Sequence, residues 1–379
     1  MRFKNPHARV LDKINPCFQN GIYKPAEDYD DEGTKIVRID DYTNDGVKKF
    51  NNLKSVNLKK TEIDRFSLKR NDILINRVNS LSHVGKSCVI DKIDFPMVFE
   101  SNMMRLRLPE GSEVLPEYLF IVLNSSRSRD YLRKVAKPAV AQASINQEDI
   151  KSLALFLPSL EQQTAIATLI STWDQAIEKT ERLIAAKEKR FSWLLNRMIN
   201  EESIQGEWKR LKLGEIVEIN KGQQLNVSDM VDSGRYYALN GGIEPSGFTN
   251  HWNTNENTIT ISEGGNSCGF VNFNTEKFWC GGHCYALNNL KNRVVDNRYL
   301  YNFLKYHEKS LMLLRVGSGL PNIQKKDIQS FSVTFPPISQ QKQIATILDT
   351  ARHEIDLVRK KTDGFRRQKR GLMQKLLTG

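Results

Sequence analysis

The stretch SINQEDIKSLALFLPSLEQQTAIATLI at 144–170 returns 178 residues later as NIQKKDIQSFSVTFPPISQQKQIATIL at 322–348. Between Ile145 and Ile170 ten positions are identical to their counterparts. Among them are Asp149/Asp327, Pro158/Pro336, Gln162/Gln340, Gln163/Gln341 and the triplets Ile166-Ala167-Thr168 and Ile344-Ala345-Thr346. One recurrence at so long a period marks a duplicated unit, not a short-period solenoid. Downstream of each proline the apolar residues recur at alternating steps of four and three. In the first copy these are Ile166, Ile170, Trp173, Ile177, Thr180, Ile184, Lys187, Phe191, Leu194 and Met198. In the second they are Ile344, Leu348, Ala351, Ile355, Val358, Thr362, Phe365, Lys369, Leu372 and Leu376. That is a heptad a/d seam with a few polar members, kept in phase between copies. Two such seams in one chain predict an antiparallel two-helix coiled coil, each rod about 57 Å long. The proline before each seam ends a strand and opens a helix.

Upstream of each junction the pattern is mixed. Residues 33–42 and 71–78 read as strands and 115–135 as a helix. Residues 234–242, 257–265 and 295–316 repeat that order in the second half. The expected fold is α+β: two pseudo-symmetric mixed α/β domains at 1–157 and 206–335. A central helix at 158–205 separates them and pairs with a C-terminal helix at 336–379.

The chain has 379 residues, with 56 Lys and Arg against 44 Asp and Glu, a net charge of +12. Half of that excess lies in residues 337–379, where 10 basic groups face 4 acidic ones. A basic excess concentrated on one helix suits a polyanion, nucleic acid first, although a solvated helix face carries such charge too. With 26 % charged and 39 % hydrophobic residues the composition is that of a globular protein. No run approaches about 18 uninterrupted apolar residues, so no membrane span is expected. Five scattered cysteines, Cys17, Cys88, Cys268, Cys280 and Cys284, suit a reducing compartment.

These junctions, the heptad helices behind them, the EWKRLKLGEIVEINKG opening at 207–222 and the terminal KRGLMQKLLTG together resemble the specificity subunits of type I restriction–modification systems. The pattern spans essentially the whole chain. It departs from that pattern at Met1-Arg2-Phe3, which has no counterpart to Glu207-Trp208. The resemblance implies two target recognition domains, each reading one half of a split DNA sequence, with helices that set the spacer. It implies as partners double-stranded DNA, two methyltransferase (modification) subunits and motor–nuclease (restriction) subunits. It implies a chain that is not itself an enzyme and binds no cofactor or metal; S-adenosylmethionine, ATP and Mg would be used by the other subunits. The implied location is the prokaryotic cytoplasm, away from the membrane.

Enzyme readings fare poorly on the residues. Asn15-Pro16-Cys17-Phe18 is similar to the Asn-Pro-Pro-Tyr/Phe loop of amino-group methyltransferases. Its second proline is Cys17, however, and no glycine-rich methyl-donor loop precedes it, so it reads as a turn. Gly85-Lys86-Ser87 ends like a phosphate loop, but Ser80 stands where the first glycine is required. Cys280-Gly281-Gly282-His283-Cys284, with Cys268 and His251 near in sequence, offers zinc-ligand types, but the spacing is C-x3-C and no second pair exists, so it reads as a small-residue strand. A stand-alone methyltransferase with degenerate motifs is the alternative, and a purely structural coiled-coil protein a third reading.

Base edges are read by Arg or Lys on guanine and by Asn or Gln on adenine. The candidate DNA contacts in the first half are Arg77, Asn79, Lys86, Lys137 and Gln142. In the second half they are Lys221, Gln223, Asn240, Trp252, Asn266, Ser267, Arg315 and Asn322. All lie in glycine- and polar-rich loops, where backbone approaches phosphate closely. The basic terminal helix suits both spacer phosphates and a methyltransferase face.

Overall fold

A computed structural model describes residues 8–44, 46, 48, 50–140, 142–200, 208–317, 319 and 321–377. Met1-Arg2-Phe3 and Glu207 lie outside the described residues. The chain divides into two compact units, Met1–Thr180 with Lys361–Gly379, and Glu181–Lys360.

In the first unit a four-stranded antiparallel sheet runs in the spatial order Cys17–Asn20, Met103–Arg107, Ile73–Asn76, Ser87–Val89. In the second the order is Glu218–Lys221, Cys284–Asn288, Thr258–Ser262, Val271–Asn274, with the same chain connectivity. The strands Ile73–Asn76 and Thr258–Ser262 are buried at every residue. That explains why their sequences, ILIN and TITIS, do not show the alternation of a half-exposed strand. A parallel pair recurs as well: Thr34–Val37 with Met97–Phe99, and Tyr236–Leu239 with Trp279–Cys280. The proline-ended strand of each repeat, Ala154–Phe156 or Ser332–Phe335, pairs with the entry strand of its own unit, Ala8–Val10 or Lys209–Lys212.

The helices expected at 115–135 and 295–316 each break in two. The first becomes Pro116–Leu123 and Ser126–Val135, because Ser125 takes the N-cap position and accepts from the Ser128 amide. The second becomes Asn297–Tyr306 and Glu308–Met312, interrupted at His307.

Two long helices, Leu160–Ile199 and Ile338–Leu376, follow the repeats. The first opens with a reciprocal box: Ser159 Oγ accepts from the Gln162 amide, and Gln162 Oε1 accepts from the Ser159 amide. The next glutamine does more. Gln163 is fully buried; its Nε2 donates to the carbonyls of Glu113 and Pro158, and its Oε1 accepts from the Leu115 amide at 2.8 Å. Gln341 repeats this with the carbonyls of Val294 and Pro336 and the amide of Asp296, again at 2.8 Å. Leu115 and Asp296 are the N-cap residues of the domain helices. Each glutamine therefore fastens the start of a long helix to the start of a domain helix.

Within each unit the long helices run antiparallel. In the second, Arg359 reaches Glu188 at 2.6 Å while Arg352 lies over the Phe191 ring at 5.1 Å. In the first, Trp173 meets Phe365 edge-on at 5.7 Å, and Ile166 shares a core with Leu377 at the far end of the other helix. The seam residues Ile166, Ile170, Trp173, Ile177, Ile184, Phe191, Ile344, Leu348, Ile355, Val358, Phe365 and Leu372 all lie buried or half-buried. Two lysines at seam positions lay their stems along it and put the ammonium on the opposite helix: Lys187 on Glu354 and Lys369 on Asp174. The seams also run into the domain cores. Ile166, Ile170 and Leu372 pack with Tyr118, Leu119 and Leu155, and Leu348, Ile344 and Phe191 pack with Tyr299, Phe303 and Val333.

Candidate nucleic-acid interface

The central buried strand of each unit ends in a segment that meets two other loops. In the first unit, Val78–Asn79 pairs with Ala143–Ser144, which pairs in turn with Lys137–Pro138. Arg77, Asn79, Lys137 and Gln142 are thereby gathered onto one small three-stranded patch. Lys137 and Gln142 are exposed. The Asn79 side chain accepts from the Ser80 amide, and the Arg77 guanidinium donates to the Ser101 carbonyl at 3.2 Å.

The second unit builds the same patch from single bridges, Gly264 to Asn322 and Asn322 to Val316. The equivalence is fixed by backbone bonds. Ile145 N–H donates to Arg77 O at 2.9 Å, and Ile323 N–H donates to Glu263 O at 2.8 Å. Around Glu263 stand Lys221, whose ammonium binds its Oε1 at 2.6 Å, and His283, whose Nδ1 is 3.6 Å from Oε2. Tyr285 donates its hydroxyl to Oε1 at 2.9 Å. Burial, reinforced by that carboxylate, pushes the phenol up to about 12, so it stays a donor at neutral pH. The Ser267 hydroxyl binds the Gly241 carbonyl, and Asn240 accepts from the His283 amide. Gln223 is held through its backbone to Cys280 and Trp279, leaving its side chain exposed. Asn266, Arg315 and Asn322 are exposed on the adjoining loops.

Glycine permits this crowding. A Cβ on Gly222 would sit 2.3 Å from the Gly281 carbonyl, and one on Gly21, at the matching end of the first unit's edge strand, 2.1 Å from the Glu100 carbonyl. Any side chain at either place would push the 280–284 or 99–103 turn out of position.

Two sequence candidates fall elsewhere. Lys86 lies in the interior at 4 % exposure, donating to the carbonyls of Ile39 and Tyr42 and lying over the Tyr42 ring at 4.7 Å. It ties the 39–42 segment to the sheet. Trp252 is exposed on its own loop, where the Lys277 ammonium stands 4.1 Å above its ring. Sequence reading missed Glu263 and Tyr285, and weighed His283 only as a zinc ligand. The only signal for Glu263 was its place after a β-branched run, where the first unit has Arg77. Cys280 and Cys284 are buried, with the Cys280 thiol on the Cys284 carbonyl at 3.7 Å. Among the described residues no group of three or more His, Cys, Asp or Glu is placed to hold a metal. Nor is any helix of these residues long and apolar enough to cross a membrane.

One α+β frame built twice, each copy presenting a polar and glycine-bearing patch from three converging loops, defines a duplicated recognition protein. The model of the type I restriction modification DNA specificity domain matches residues 14–188 and again 205–364, and the chain belongs to that family. As a member of a family of specificity subunits it is a recognition subunit, not a catalytic one. Over 98 % of its length it is 26 % identical to a Methanocaldococcus jannaschii protein bearing the name of the type I restriction enzyme MjaX specificity subunit, 92 % of which is covered. The MjaVIII specificity subunit of the same organism is 29 % identical over 182 residues, 45 % of this chain and 42 % of that one. The crystal structure of a type I restriction–modification S subunit from M. genitalium shares the fold at a TM-score of 0.69 and 21 % identity, covering 100 % of this chain and 98 % of that one.

Proposed function

We propose that each unit of this specificity subunit reads one half of a bipartite double-stranded DNA target. The observation that carries the reading is the recurrence, in both units, of a three-loop patch that collects scattered Arg, Lys, Asn and Gln side chains at the end of the same buried strand. Those are the groups that discriminate base edges. On this reading the reading domains span 1–157 and 206–335, and the helices at 158–205 and 336–379 space them. The exposed apolar residues Leu169 and Ile347, at equivalent places outside the seam, support docking of two methyltransferase subunits on the repeated helix. S-adenosylmethionine, ATP and Mg are used by the methyltransferase and motor–nuclease subunits, in a prokaryotic cytoplasm. The relatives reported above are specificity subunits, and a stand-alone methyltransferase finds no support among them.

Exchange of residues 206–335 for the corresponding segment of a relative tests the proposal. Methylated-base mapping in a host that carries the exchanged chain and its methyltransferase should show one half-site replaced and the other kept. Replacement of both half-sites, or methylation without a two-part motif, overturns it.

A further inference from the structure

The second unit's patch contains a buried carboxylate with one oxygen unsatisfied. Glu263 is 4 % exposed; its Oε1 is taken by Lys221 and Tyr285, while Oε2 has no hydrogen-bond partner. Buried acceptors are costly to leave unmade, so the retention of this one points to a donor supplied from outside the chain. The side chains that flank it, Lys221 and His283, are themselves 52 % and 62 % exposed, so the carboxylate lies next to the solvent-facing surface, with His283 Nδ1 at 3.6 Å from Oε2, beyond hydrogen-bond reach. The Gly264-Gly265-Asn266 turn beside it carries no bulky side chain. A phosphate is excluded as the ligand, because its oxygens bring no proton to a carboxylate. In the major groove the hydrogen-bond donors are the exocyclic amines of cytosine and adenine.

The first unit holds Arg77 at this position. The Arg77 amide donates to Asn102 O at 2.9 Å, as the Glu263 amide donates to His283 O at 2.9 Å, and both carbonyls accept from the isoleucine that opens the repeat. One backbone site thus carries a forked donor in one unit and an acceptor in the other. We propose that the residue after the central strand is a specificity-determining position of each unit, Arg77 donating to a guanine edge and Glu263 Oε2 accepting the exocyclic amine of a cytosine or adenine. This rests on the DNA-reading function proposed above and names the base chemistry of each half-site.

The test uses the full chain assembled with its methyltransferase subunits and reads the methylated motif. With the unaltered chain, one position of the second half-site should require cytosine or adenine, and the map states which. Glu263→Gln should cut discrimination at that position about tenfold or more, since an amide both donates and accepts, and leave the first half-site intact. Arg77→Gln should do the converse at a guanine of the first half-site. Lys221→Met removes the ammonium from Oε1 and leaves Oε2 in place, so the requirement for cytosine or adenine at that position should persist. An unchanged motif in Glu263→Gln overturns the inference. So does relaxation of that same position in Lys221→Met, which would make Glu263 a strut for the lysine. Where Glu263→Gln does not fold, Glu263→Asp, which keeps the charge and withdraws the oxygen, should weaken the same position, and an unaltered motif there counts against the inference equally. A two-part motif that survives all these substitutions sinks this inference alone, whereas absence of any two-part motif with the unaltered chain sinks the underlying function.

Discussion

The two units share a frame and differ in the face they present. Gln163 and Gln341 hold matching amides and carbonyls; Tyr118 and Tyr299 donate to the carbonyls of Phe156 and Thr334 at the same joint. The patches at the strand ends diverge at once. Arg77 stands where Glu263 stands, and a three-stranded ladder stands where the second unit has single bridges. The frame is set by interactions with no freedom of partner: a buried amide must find its carbonyl. The face is set by side chains whose partners lie outside the chain, so nothing internal holds them alike.

Lengthening the frame without touching the faces should have the largest effect. Seven residues inserted after Ile184 and after Thr362 keep the seam in register. They extend each helix by about 10 Å. The preferred spacer should then grow by up to about 3 bp, with both half-sites unchanged, and methylated-base mapping reads the outcome. An unaltered spacer at full activity would remove the helices as the ruler.

Charge in the seam comes next. Ile355 is 5 % exposed and its counterpart Ile177 half-buried. Ile355→Asp should cost about 4 kcal/mol in denaturant unfolding through lost burial and an unpaired carboxylate, and Ile177→Asp distinctly less. Equal costs would mean that the two stretches of seam are packed alike.

The paired glutamines sharpen the comparison further. Gln163→Leu strands one amide and two carbonyls and should destabilise by about 2–3 kcal/mol, with Gln341→Leu matching it within error. A large difference between them would break the claim of a common frame. The smallest effect is that of Tyr118→Phe and Tyr299→Phe, each removing one hydroxyl bond to a carbonyl, at about 1 kcal/mol apiece by thermal unfolding. None of these four substitutions should alter the methylated motif.

Much of this was open to reading in the sequence. Periodicity, proline and capping residues act over a few positions. The ten identities at the junction, the seam from Ile166 to Leu372 and the opening of each long helix follow from neighbours along the chain. Those local signals determined the duplication, the α+β class and the family. They also led to a single helix at 115–135, because the periodicity outweighed Ser125, whose capping role depends on the chain turning there.

Only the tertiary structure decided the candidate site. Lys221, Glu263, His283 and Asn322 are brought together by strand pairing and bridges between segments far apart in sequence. It also withdrew Lys86 from the surface, since its ammonium, at the end of the 81–85 turn, finds inside the carbonyls of Ile39 and Tyr42, far from it in sequence. The Arg77/Glu263 pair is offset by 186 residues, whereas the junction repeats at 178, so no single register in the sequence aligns both. Loops of different length intervene between the strand and the repeat. Their length is free because their ends, and not their course, are fixed by the sheet.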